Sequence, residues 1–318
     1  MEPVKIAFCD WYKAFDTSDN FITRALNNRN VPYVISDEPD VLFYSNFGNR
    51  HNLYKDCSRV FFSGEPYSPD FNECDYAICY DDLVYEGRYC KRPAVFPKEL
   101  MDRKVRLEPE SLLNRKFCNF IYSNETYGEG ALLRKKFATE LMKYKPIDCP
   151  GRVLNNMKDG LTAREDADWE QAKIDFISGY KFTIAFENCS YPGYSSDKLM
   201  DPLLANSVPI YWGDPRAGKN FNSDAFISVN GCEKDMKRFI DMIIELDRDD
   251  EAYLKIATAP MMAETYDENE YDKFEEFVAG VTAKGKDGIY SKDPFNFKRR
   301  MSFDGLSRKE KIRYLFFR

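Results

Sequence analysis

The chain has 318 residues, of which 43% are hydrophobic and 15% are aromatic, and its formal net charge at pH 7 is −7. This length predicts about two domains. The negative charge argues against a nucleic-acid-binding protein, because phosphate backbones are bound by a surplus of lysine and arginine. No apolar run approaches the ~20 residues that cross a bilayer, and no basic, signal-like segment precedes the first predicted strand. We therefore expect a cytoplasmic protein.

The cysteines and the histidine narrow the possible chemistry. Nine cysteines are scattered along the chain without a Cys-x-x-Cys pattern, which predicts free, mostly buried thiols in a reducing compartment. His51 is the only histidine, and this excludes most metallohydrolase, Cys–His and Ser–His–Asp mechanisms, since each needs an imidazole. The polar sequence around His51 predicts a solvated loop residue.

The first third of the chain alternates short apolar runs with polar, helical-looking segments. The apolar runs predict strands at residues 4–9, 33–35, 41–45, 59–62 and 76–79, with a helical-looking stretch at residues 11–28. This rhythm is typical of βαβ units and a parallel sheet. Near residues 100–114 the sequence becomes charged and loses its period, which indicates a linker. We therefore predict a first domain at residues 1–112.

A second domain is predicted at residues 113–285. It is expected to open with a strand at residues 117–122, a polar loop and a helix from Ala131 to about Tyr144, and to end near a helix at residues 233–246. Residues 182–214 read as strand, polar loop, helix and strand. In a parallel sheet this pattern places a set of polar residues at the carboxyl edge, where open α/β folds bind ligands: Glu187, Asn188, Tyr194, Asp197 and Lys198.

Residues 182–214 resemble the donor-sugar signature of the alpha-1,3/4-fucosyltransferases of bacterial type. The matching residues are Phe186-Glu187-Asn188, Tyr194, Lys198 and the run from Pro209 to Gly213. Ser196-Asp197 stands where the family usually has Thr-Glu, so the acidic arm is one methylene shorter. The resemblance implies an α/β fold of GT-B type, with two Rossmann-like domains facing across a cleft. The acceptor domain would come first and the donor domain second.

Glu65 is the candidate catalytic base. It follows the apolar run Phe61-Phe62 and a Gly64 turn, and Pro66 stiffens the loop after it. Inverting sugar transfer needs a carboxylate that takes a proton from the acceptor hydroxyl. The segment is also similar to the family's Phe-Phe-x-Gly-Glu block, and the resemblance implies that Glu65 is the base.

Donor binding is assigned to two cations and several polar groups. The resemblance implies that Arg134, near the start of the predicted helix, and Lys198 contact the diphosphate, which a guanidinium can grip through two oxygens. Arg152 is the substitute candidate for Arg134. Asn188, Tyr194 and Asp197 are expected to orient the donor, and Glu187 is expected either to join them or to bind backbone N–H groups of the next loop.

Trp11 and Tyr12 follow the first predicted strand directly and are candidates for stacking on the acceptor sugar, with core packing as the alternative. No metal or other cofactor is expected to be required, and a divalent ion would at most stimulate. The adjacent pairs Asp81-Asp82 and Asp249-Asp250 lie in helical-looking stretches that suit a metal-binding Asp-x-Asp role poorly.

The end of the chain, residues 286–318, is predicted to be a basic tail or closing helix. Residues 295–318, from Phe295 to Arg318, interleave basic and apolar side chains. Such a segment can lie on an anionic membrane surface, which would place the protein peripherally on the inner membrane. The alternative is a helix packed back on the first domain.

These features predict an inverting transferase that moves L-fucose from GDP-fucose to the N-acetylglucosamine of a Gal-GlcNAc acceptor, either N-acetyllactosamine or lacto-N-biose, in alpha-1,3 or alpha-1,4 linkage. Two alternatives remain at this point. One is a GT-B transferase with another nucleotide sugar, and the other is a carbohydrate- or nucleotide-binding protein without turnover.

Overall fold

A computed structural model of the chain describes residues 2–95, 108–158, 161 and 169–290. The described residues form two compact units. The first unit comprises the described residues of Met1–Cys79, Leu83–Cys90 and Glu275–Arg318. The second comprises the described residues of Tyr80–Asp82 and Lys91–Phe274. All nine cysteines fall within the described ranges as thiols that form no disulfide there, and seven of them are buried.

The first sheet has six strands in the order β2-β1-β3-β4-β5-β6. In chain order they are β1 Val4–Cys9, β2 Tyr33–Ile35, β3 Val41–Tyr44, β4 Ser58–Phe62, β5 Tyr76–Cys79 and β6 Tyr89–Lys91. Neighbours among the first five strands are parallel. The chain passes from β1 to β2 and then returns across β1 to β3, so the strand order reverses between β1 and β3. Helix α1, Phe21–Asn28, starts at an Asn20 capping box that uses Thr23.

The second sheet has five parallel strands in the order β11-β10-β9-β7-β8. They are β7 Lys116–Asn119, β8 Ile147–Asp148, β9 Tyr180–Phe186, β10 Val208–Trp212 and β11 Ile227–Ser228. Here the strand order reverses between β7 and β9. The helices from α2 onward are α2 Pro109–Leu113, α3 Glu129–Leu141, α4 Trp169–Ile177, α5 Asp197–Leu204, α6 Met236–Arg248, α7 Asp250–Ala257 and α8 Glu270–Lys284.

Strands β9 and β10 are buried along their whole length. Phe182, Ile184 and Phe186 pack into a core that includes residues of α3 and α6. Ala185 packs into a different core, which includes residues of α5. Because helices cover both faces, β10 is apolar along its whole length, and only Lys181 and Thr183 interrupt the apolar sequence of β9. The polar residues that follow β9 therefore begin where this double cover ends.

The start of α3 lies directly against the end of β9. Gly128 has a φ of 80°, and a Cβ on it would lie 2.1 Å from the carbonyl oxygen of Asn188. A Cβ on Gly130 would lie 2.0 Å from the carbonyl oxygen of Glu187, and the Gly130 N–H donates to the Asn188 carbonyl at 3.0 Å. Only glycine at both positions permits this approach.

The predicted fold class is confirmed, since the chain is α/β with a parallel, Rossmann-like sheet in each unit. Several boundaries differ from the prediction. The helix expected from residue 11 begins at Phe21, the strand predicted at residues 117–122 ends at Asn119, and α3 begins at Glu129 rather than Ala131. Asp81 and Asp82 lie in a bend and not in a helix.

The prediction for His51 is wrong. Its side chain is buried, at 5% exposure. The ring stacks on Tyr44 with 4.2 Å between centroids, and Nδ1 lies 2.7 Å from Oδ2 of Asp10. A polar sequence neighbourhood suggested solvent, but the carboxylate that follows β1 supplies the partner that a buried imidazole needs.

Two predictions stay predictions. The first is the division of the chain into domains at residues 1–112, 113–285 and 286–318, and the second is the role of the basic segment. The basic segment at residues 295–318 lies outside the described residues. Within the described ranges, no helix is long and apolar enough to cross a membrane.

Replacing Gly130 by alanine tests the contact between α3 and β9. Alanine normally stabilises a helix by about 0.5–1 kcal/mol over glycine, and we expect Gly280→Ala in α8 to do so, because a Cβ there meets nothing within 4 Å. Gly130→Ala should instead destabilise by about 1–3 kcal/mol, since the new methyl group overlaps the Glu187 carbonyl. Midpoints of thermal unfolding check both. A rise in the midpoint for both variants would contradict the contact.

Candidate active site

Arg134 lies at the point where the strand order of the second sheet reverses. It belongs to the second turn of α3, is 1% exposed, and its guanidinium packs over the Tyr122 ring at 4.0 Å. Nη1 donates to Oδ1 of Asn188 at 3.1 Å and Nη2 donates to the carbonyl of Asn124. The loops that follow β7 and β9 are therefore joined through one cation.

Arg134 forms no ion pair with an acid among the described residues, although the charge of Glu187 acts on it from a longer distance. Among the residues that the structure describes, no carboxylate lies within 4 Å of its guanidinium, and its Nε has no hydrogen-bond partner. Burial lowers the pKa of Arg134, but a guanidinium remains protonated in proteins. A buried cation without an ion pair, at the point where the strand order of a sheet reverses, is suited to binding an anion.

Glu187 anchors the loop between β9 and α5. Its fully buried carboxylate accepts from the Ser196 N–H at 2.8 Å and from the Ser196 hydroxyl at 2.7 Å. Nζ of Lys198 lies 3.3 Å from the same carboxylate. Burial raises the pKa of Glu187 despite these partners. Burial works to lower the pKa of Lys198, but the charges of Glu187 and Asp197 outweigh it and raise that pKa.

Asp197 begins α5 and is half exposed. Its carboxylate accepts from Nζ of Lys173 at 2.7 Å, and the same ammonium lies 2.6 Å from Asp201 one helical turn later. Burial raises the pKa of Asp201 to about 6, against the lowering effect of Lys173. Lys173, in α4, was not recognised from the sequence because its partners lie 24 and 28 positions away.

Tyr194 is buried, at 1% exposure, and its ring meets the Tyr80 ring edge to face at 5.0 Å. Buried Asp214 holds the same loop, since it accepts from the Gly193 N–H at 2.8 Å and from the Ser195 hydroxyl at 3.0 Å. Asp214 was also missed by sequence reasoning. The Gly-Asp that ends the β10 motif was the available signal.

Arg152 lies in the bend after β8 and is exposed. Its neighbour Val153 donates its N–H to the Tyr122 carbonyl at 3.0 Å. Within the described part of the chain, no contact joins the Arg152 side chain to Arg134, Asn188 or Lys198. The structure thus brings Arg134 and Asn188 together, and Glu187, Asp197 and Lys198 together. The assignment of Arg152 to the donor site stays a prediction.

A cavity of about 500 Å³ opens beside the amino end of α3. It borders the predicted donor loop through Ser190, but the predicted donor residues do not line it. Its lining consists of Glu129, Leu132, Leu133, Lys136, Ser190, Trp212, Pro215, Asn230, Gly231 and Glu233.

Glu65 lies in the first unit, on the loop after β4, and is partly exposed. The Ser63 hydroxyl donates to the Glu65 carbonyl at 2.7 Å and accepts from the Glu65 N–H at 3.2 Å. The Tyr67 N–H donates to the same carbonyl at 2.7 Å. These bonds fix the backbone that carries the Glu65 carboxylate.

The two predicted acceptor residues differ in environment. Trp11 stacks on Phe15 at 4.0 Å between centroids, and its Nε1–H donates to the Phe43 carbonyl at 3.1 Å. Tyr12 is 52% exposed. Trp11 is therefore largely used by the aromatic core of its own unit, whereas Tyr12 remains accessible to a ligand.

No cluster of three or more histidine, cysteine, aspartate or glutamate side chains in the described ranges is arranged to hold a metal ion. Of the two adjacent acidic pairs, Asp249 caps α7 by accepting from the Ala252 N–H at 3.0 Å. Asp82 is engaged by cations instead.

Two family models match the chain, one in each half. The model of the alpha-(1,3)-fucosyltransferase FucT N-terminal domain matches residues 6–96, and that of the glycosyltransferase family 10 (fucosyltransferase) C-terminal domain matches residues 114–258. Together they cover about three quarters of the chain. The chain belongs to the family 10 fucosyltransferases. It is therefore a glycosyltransferase.

Individual relatives agree with this assignment. The chain is 27% identical to the alpha-(1,3)-fucosyltransferase FucT of Helicobacter pylori over 94% of its own length and 70% of that protein. It is 36% identical to alpha-(1,3)-fucosyltransferase B of Drosophila melanogaster over 26% of its own length and 19% of that protein.

Solved structures of the family are also similar. An alpha1,3-fucosyltransferase with GDP is 25% identical, with a TM-score of 0.71, over 92% of this chain and 93% of that one. An alpha1,3-fucosyltransferase with GDP-fucose is 25% identical, with a TM-score of 0.68, over 88% of this chain and 90% of that one.

A short segment of this fucosyltransferase, Tyr80–Asp82, belongs to the second unit although its sequence neighbours belong to the first. Asp81 accepts from the hydroxyl of Tyr191, in the loop after β9. Asp82 accepts from Lys91 at 2.8 Å, from Arg216 at 2.7 Å and from Lys219 at 3.2 Å. Sequence reasoning missed this segment, because nothing local indicates partners more than 100 positions away.

The ion pairs of Asp82 make a pH-dependent contribution to stability. The hydrogen bond from Lys91 is the largest cause of a lowered pKa at Asp82, and the cations Arg216 and Lys219 add to it. Desolvation opposes them, and the pKa falls from 3.8 to about 2. A carboxylate whose pKa is lower in the folded state stabilises the fold at pH values above its pKa in the unfolded chain. This stabilisation is lost as the pH falls toward its pKa in the folded state. Asp82→Asn should therefore destabilise at pH 7, by less than about 1 kcal/mol because the group is 36% exposed.

The difference between wild type and Asp82→Asn in the midpoint of thermal unfolding should shrink as pH falls from about 4 toward 2. Asp37→Asn, at an exposed position of the first unit, serves as the control. An equal difference at pH 7 and at pH 3 would contradict the assignment of the effect to these ion pairs.

Proposed function

We propose that the enzyme transfers L-fucose from GDP-fucose to the N-acetylglucosamine of a Gal-GlcNAc acceptor, of N-acetyllactosamine or lacto-N-biose type, with inversion at the fucose carbon and in alpha-1,3 or alpha-1,4 linkage. The similar alpha-1,3-fucosyltransferases, one of them solved with GDP-fucose, support the donor and the alpha-1,3 linkage. The acceptor and the inversion follow from the resemblance of the Glu65 and donor motifs.

The observation that carries the proposal is the buried guanidinium of Arg134, which has no carboxylate partner among the described residues. A diphosphate supplies the missing negative charge, and a guanidinium binds two phosphate oxygens at once. Lys198 brings a second cation at the amino end of α5, where N–H groups also favour an anion. These charges stabilise the GDP that departs.

In the proposed reaction Glu65 accepts the proton of an acceptor hydroxyl. The acceptor oxygen then forms its bond to the anomeric carbon of fucose, on the face opposite the bond to the β-phosphate, and that bond breaks. The electron pair of the broken bond goes to the phosphate, where Arg134 and Lys198 offset the developing charge.

The other donor residues act around this centre. Oδ1 of Asn188 accepts a hydrogen bond from Arg134. We assign the amide N–H₂ of Asn188 to donate to sugar or phosphate oxygens. Asp197 is assigned to accept from ribose or fucose hydroxyls of the donor substrate. Tyr194, whose ring is buried against Tyr80, supports the loop that carries Asp197, and Glu187 holds that loop through Ser196.

Two further assignments complete the proposal. No cofactor is required besides the donor substrate, and a divalent ion at most stimulates, because arginine and lysine supply the positive charge. The basic segment at residues 295–318 contacts the anionic inner membrane surface peripherally.

Glu65→Gln tests the base. The variant should lose fucosyl transfer by about 100-fold or more, since its amide cannot take up the acceptor proton. GDP affinity should stay within twofold of wild type. Transfer is measured as GDP release with N-acetyllactosamine, and affinity by calorimetry. Glu38→Gln, an exposed glutamate of the same unit, is the control, and full transfer by Glu65→Gln would reject the assignment.

Arg134→Ala and Lys198→Ala test the diphosphate contacts. Each should weaken GDP binding by about 10- to 100-fold, because a charge-assisted hydrogen bond worth roughly 1.5–3 kcal/mol is lost. Lys135→Ala, beside Arg134 but exposed and paired with Glu125, should change GDP affinity less than twofold. Midpoints of thermal unfolding show that each variant is folded at the assay temperature. Unchanged affinity in folded variants would remove these residues from the site.

The choice of donor is tested separately. Wild-type protein should bind GDP-fucose more tightly than GDP-mannose and than UDP-sugars in competition with a fluorescent GDP analogue. Equal or better binding of a UDP-sugar would indicate a different nucleotide-sugar transferase.

A further inference from the structure

An exposed aromatic pair lies where the strand order of the first sheet reverses. Tyr12 follows β1 and Phe47 follows β3, both are 52% exposed, and their rings meet edge to face at 6.3 Å. The crevice at such a reversal, at the carboxyl ends of the strands, is where open α/β sheets bind ligands. We refer to Tyr12 and Phe47 as the aromatic pair.

Asp10 connects the two loops that carry the aromatic pair. Its carbonyl accepts from the Phe47 N–H at 2.9 Å, and its carboxylate accepts from the N–H groups of Arg50 and His51, each at 2.9 Å. The backbone of Asp10 has a φ of 58°, a costly conformation for a residue with a Cβ. Gly48 allows the approach, since a Cβ there would lie 2.4 Å from Oδ1 of Asp10.

His51 completes this connection. Its Nδ1 lies 2.7 Å from Oδ2 of Asp10. Its buried Nε2 has no hydrogen-bond partner among the described residues, and the Glu73 carboxylate is 3.9 Å away. Burial works to raise the pKa of Asp10, but the hydrogen bonds from His51 and Arg50 lower it. An unsatisfied buried nitrogen costs stability. A side chain kept in place despite this cost is consistent with a second role, here the holding of two loops at a functional edge.

The aromatic pair is continuous with the loop of Glu65. The Ser63 hydroxyl, which holds the Glu65 backbone, lies 3.5 Å from Oδ1 of Asn46, directly before Phe47. Strands β3 and β4, which precede these two loops, are neighbours in the sheet. The aromatic pair and Glu65 therefore share one edge of one sheet.

We propose that Tyr12 and Phe47 form a platform for a sugar ring of the acceptor glycan, and that Asp10 and His51 are positioning residues that hold this platform. Two half-exposed rings at an interplanar angle of 80° offer apolar surface for the C–H groups of a sugar ring, and a tyrosine hydroxyl can donate and accept. The polar residues Asn46 and Asn49 border the pair in sequence, which suits a hydroxylated ligand. This inference rests on the proposed function for the identity of the acceptor.

Binding without donor tests the platform independently of turnover. Ligand-observed NMR titrations with N-acetyllactosamine, lacto-N-biose and lactose are compared for wild type, Tyr12→Leu, Phe47→Leu and Val84→Ala. The leucine variants keep apolar bulk but lose the aromatic face, and we expect the Kd of the bound disaccharide to rise about tenfold. Val84, 97% exposed in the same unit, is the matched control and should leave the Kd unchanged.

Unchanged affinity in both leucine variants, or no binding of any of the three disaccharides to wild type, overturns the platform. If disaccharide binds through the aromatic pair but no fucose is transferred, the platform stands and the proposed reaction fails. If fucose is transferred and neither leucine variant raises the acceptor KM, the reaction stands and the platform fails.

The positioning role is tested with His51→Ala and His51→Asn. Loss of the imidazole should raise the acceptor KM about tenfold while kcat at saturation and the Kd for GDP change less than twofold. His51→Asn should recover most of the acceptor affinity, because its amide N–H can still donate to Asp10. A folded His51→Ala variant with an unchanged acceptor KM would refute the role.

A spectroscopic readout avoids mutation altogether. Because His51 is the only histidine, its ring signals in a ¹H–¹⁵N spectrum of wild-type protein are assigned without ambiguity. They should shift when N-acetyllactosamine is added and stay in place when GDP is added alone. Ring signals that do not respond to bound disaccharide would contradict the connection between His51 and the platform, even where the alanine variant does not fold.

Discussion

The loop between β9 and α5 in the second unit depends on the hydrogen bonds that the buried carboxylate of Glu187 accepts. A charge without any exposure at the end of a covered strand would be costly, so its two oxygens need donors. Ser196 supplies two and Lys198 supplies an ion pair. To meet these donors, the chain after β9 must fold back over the strand end before α5 begins. The position of Lys198 and of Asp197 therefore follows from the burial of Glu187.

The same strand end is fixed from the other side by α3. Glycines at its start let the helix approach the carbonyls of Glu187 and Asn188, and this brings Arg134 beneath the loop. Two cations are thus held by the packing of one strand end. In the proposed reaction, such preorganisation would stabilise the departing diphosphate, since donors already in place need no rearrangement.

The two units solve a similar problem in different ways. In each, the strand order reverses once, between β1 and β3 or between β7 and β9, and the reversal leaves a crevice between loops. In the second unit, Arg134 joins the two loops at this reversal. In the first, the loops carry Tyr12 and Phe47, and buried Asp10 connects them. The proposed function assigns the arrangement in the second unit to the nucleotide and that in the first to the acceptor sugar.

The sequence predicted those parts of this architecture that local pattern determines. Strands at residues 4–9 and 76–79 were located correctly because short apolar runs are flanked by polar segments. Partners distant in sequence were not predictable. His51 looked solvated because only its polar neighbours were visible, and Asp10 lies 41 positions away. Lys173 was missed for the same reason, whereas Asp214 was missed although the Gly-Asp after β10 was a local signal. Arg134 and Lys198 were named through a resemblance, whereas their burial and pairing emerge only from the fold.

The departure of Ser196-Asp197 from the usual Thr-Glu can be read from these contacts. Ser196 uses its hydroxyl and its N–H on Glu187, and both groups are equally present in threonine, so this exchange preserves the anchoring of the loop. Asp197 differs, because its shorter arm is paired with Lys173, which also pairs with Asp201. In the proposed donor site, a fucose or ribose hydroxyl would compete with that ammonium for the carboxylate. The shorter acid thus gives up reach but is held in one orientation at the positive end of α5, so the hydroxyl has to approach Asp197 from its exposed side.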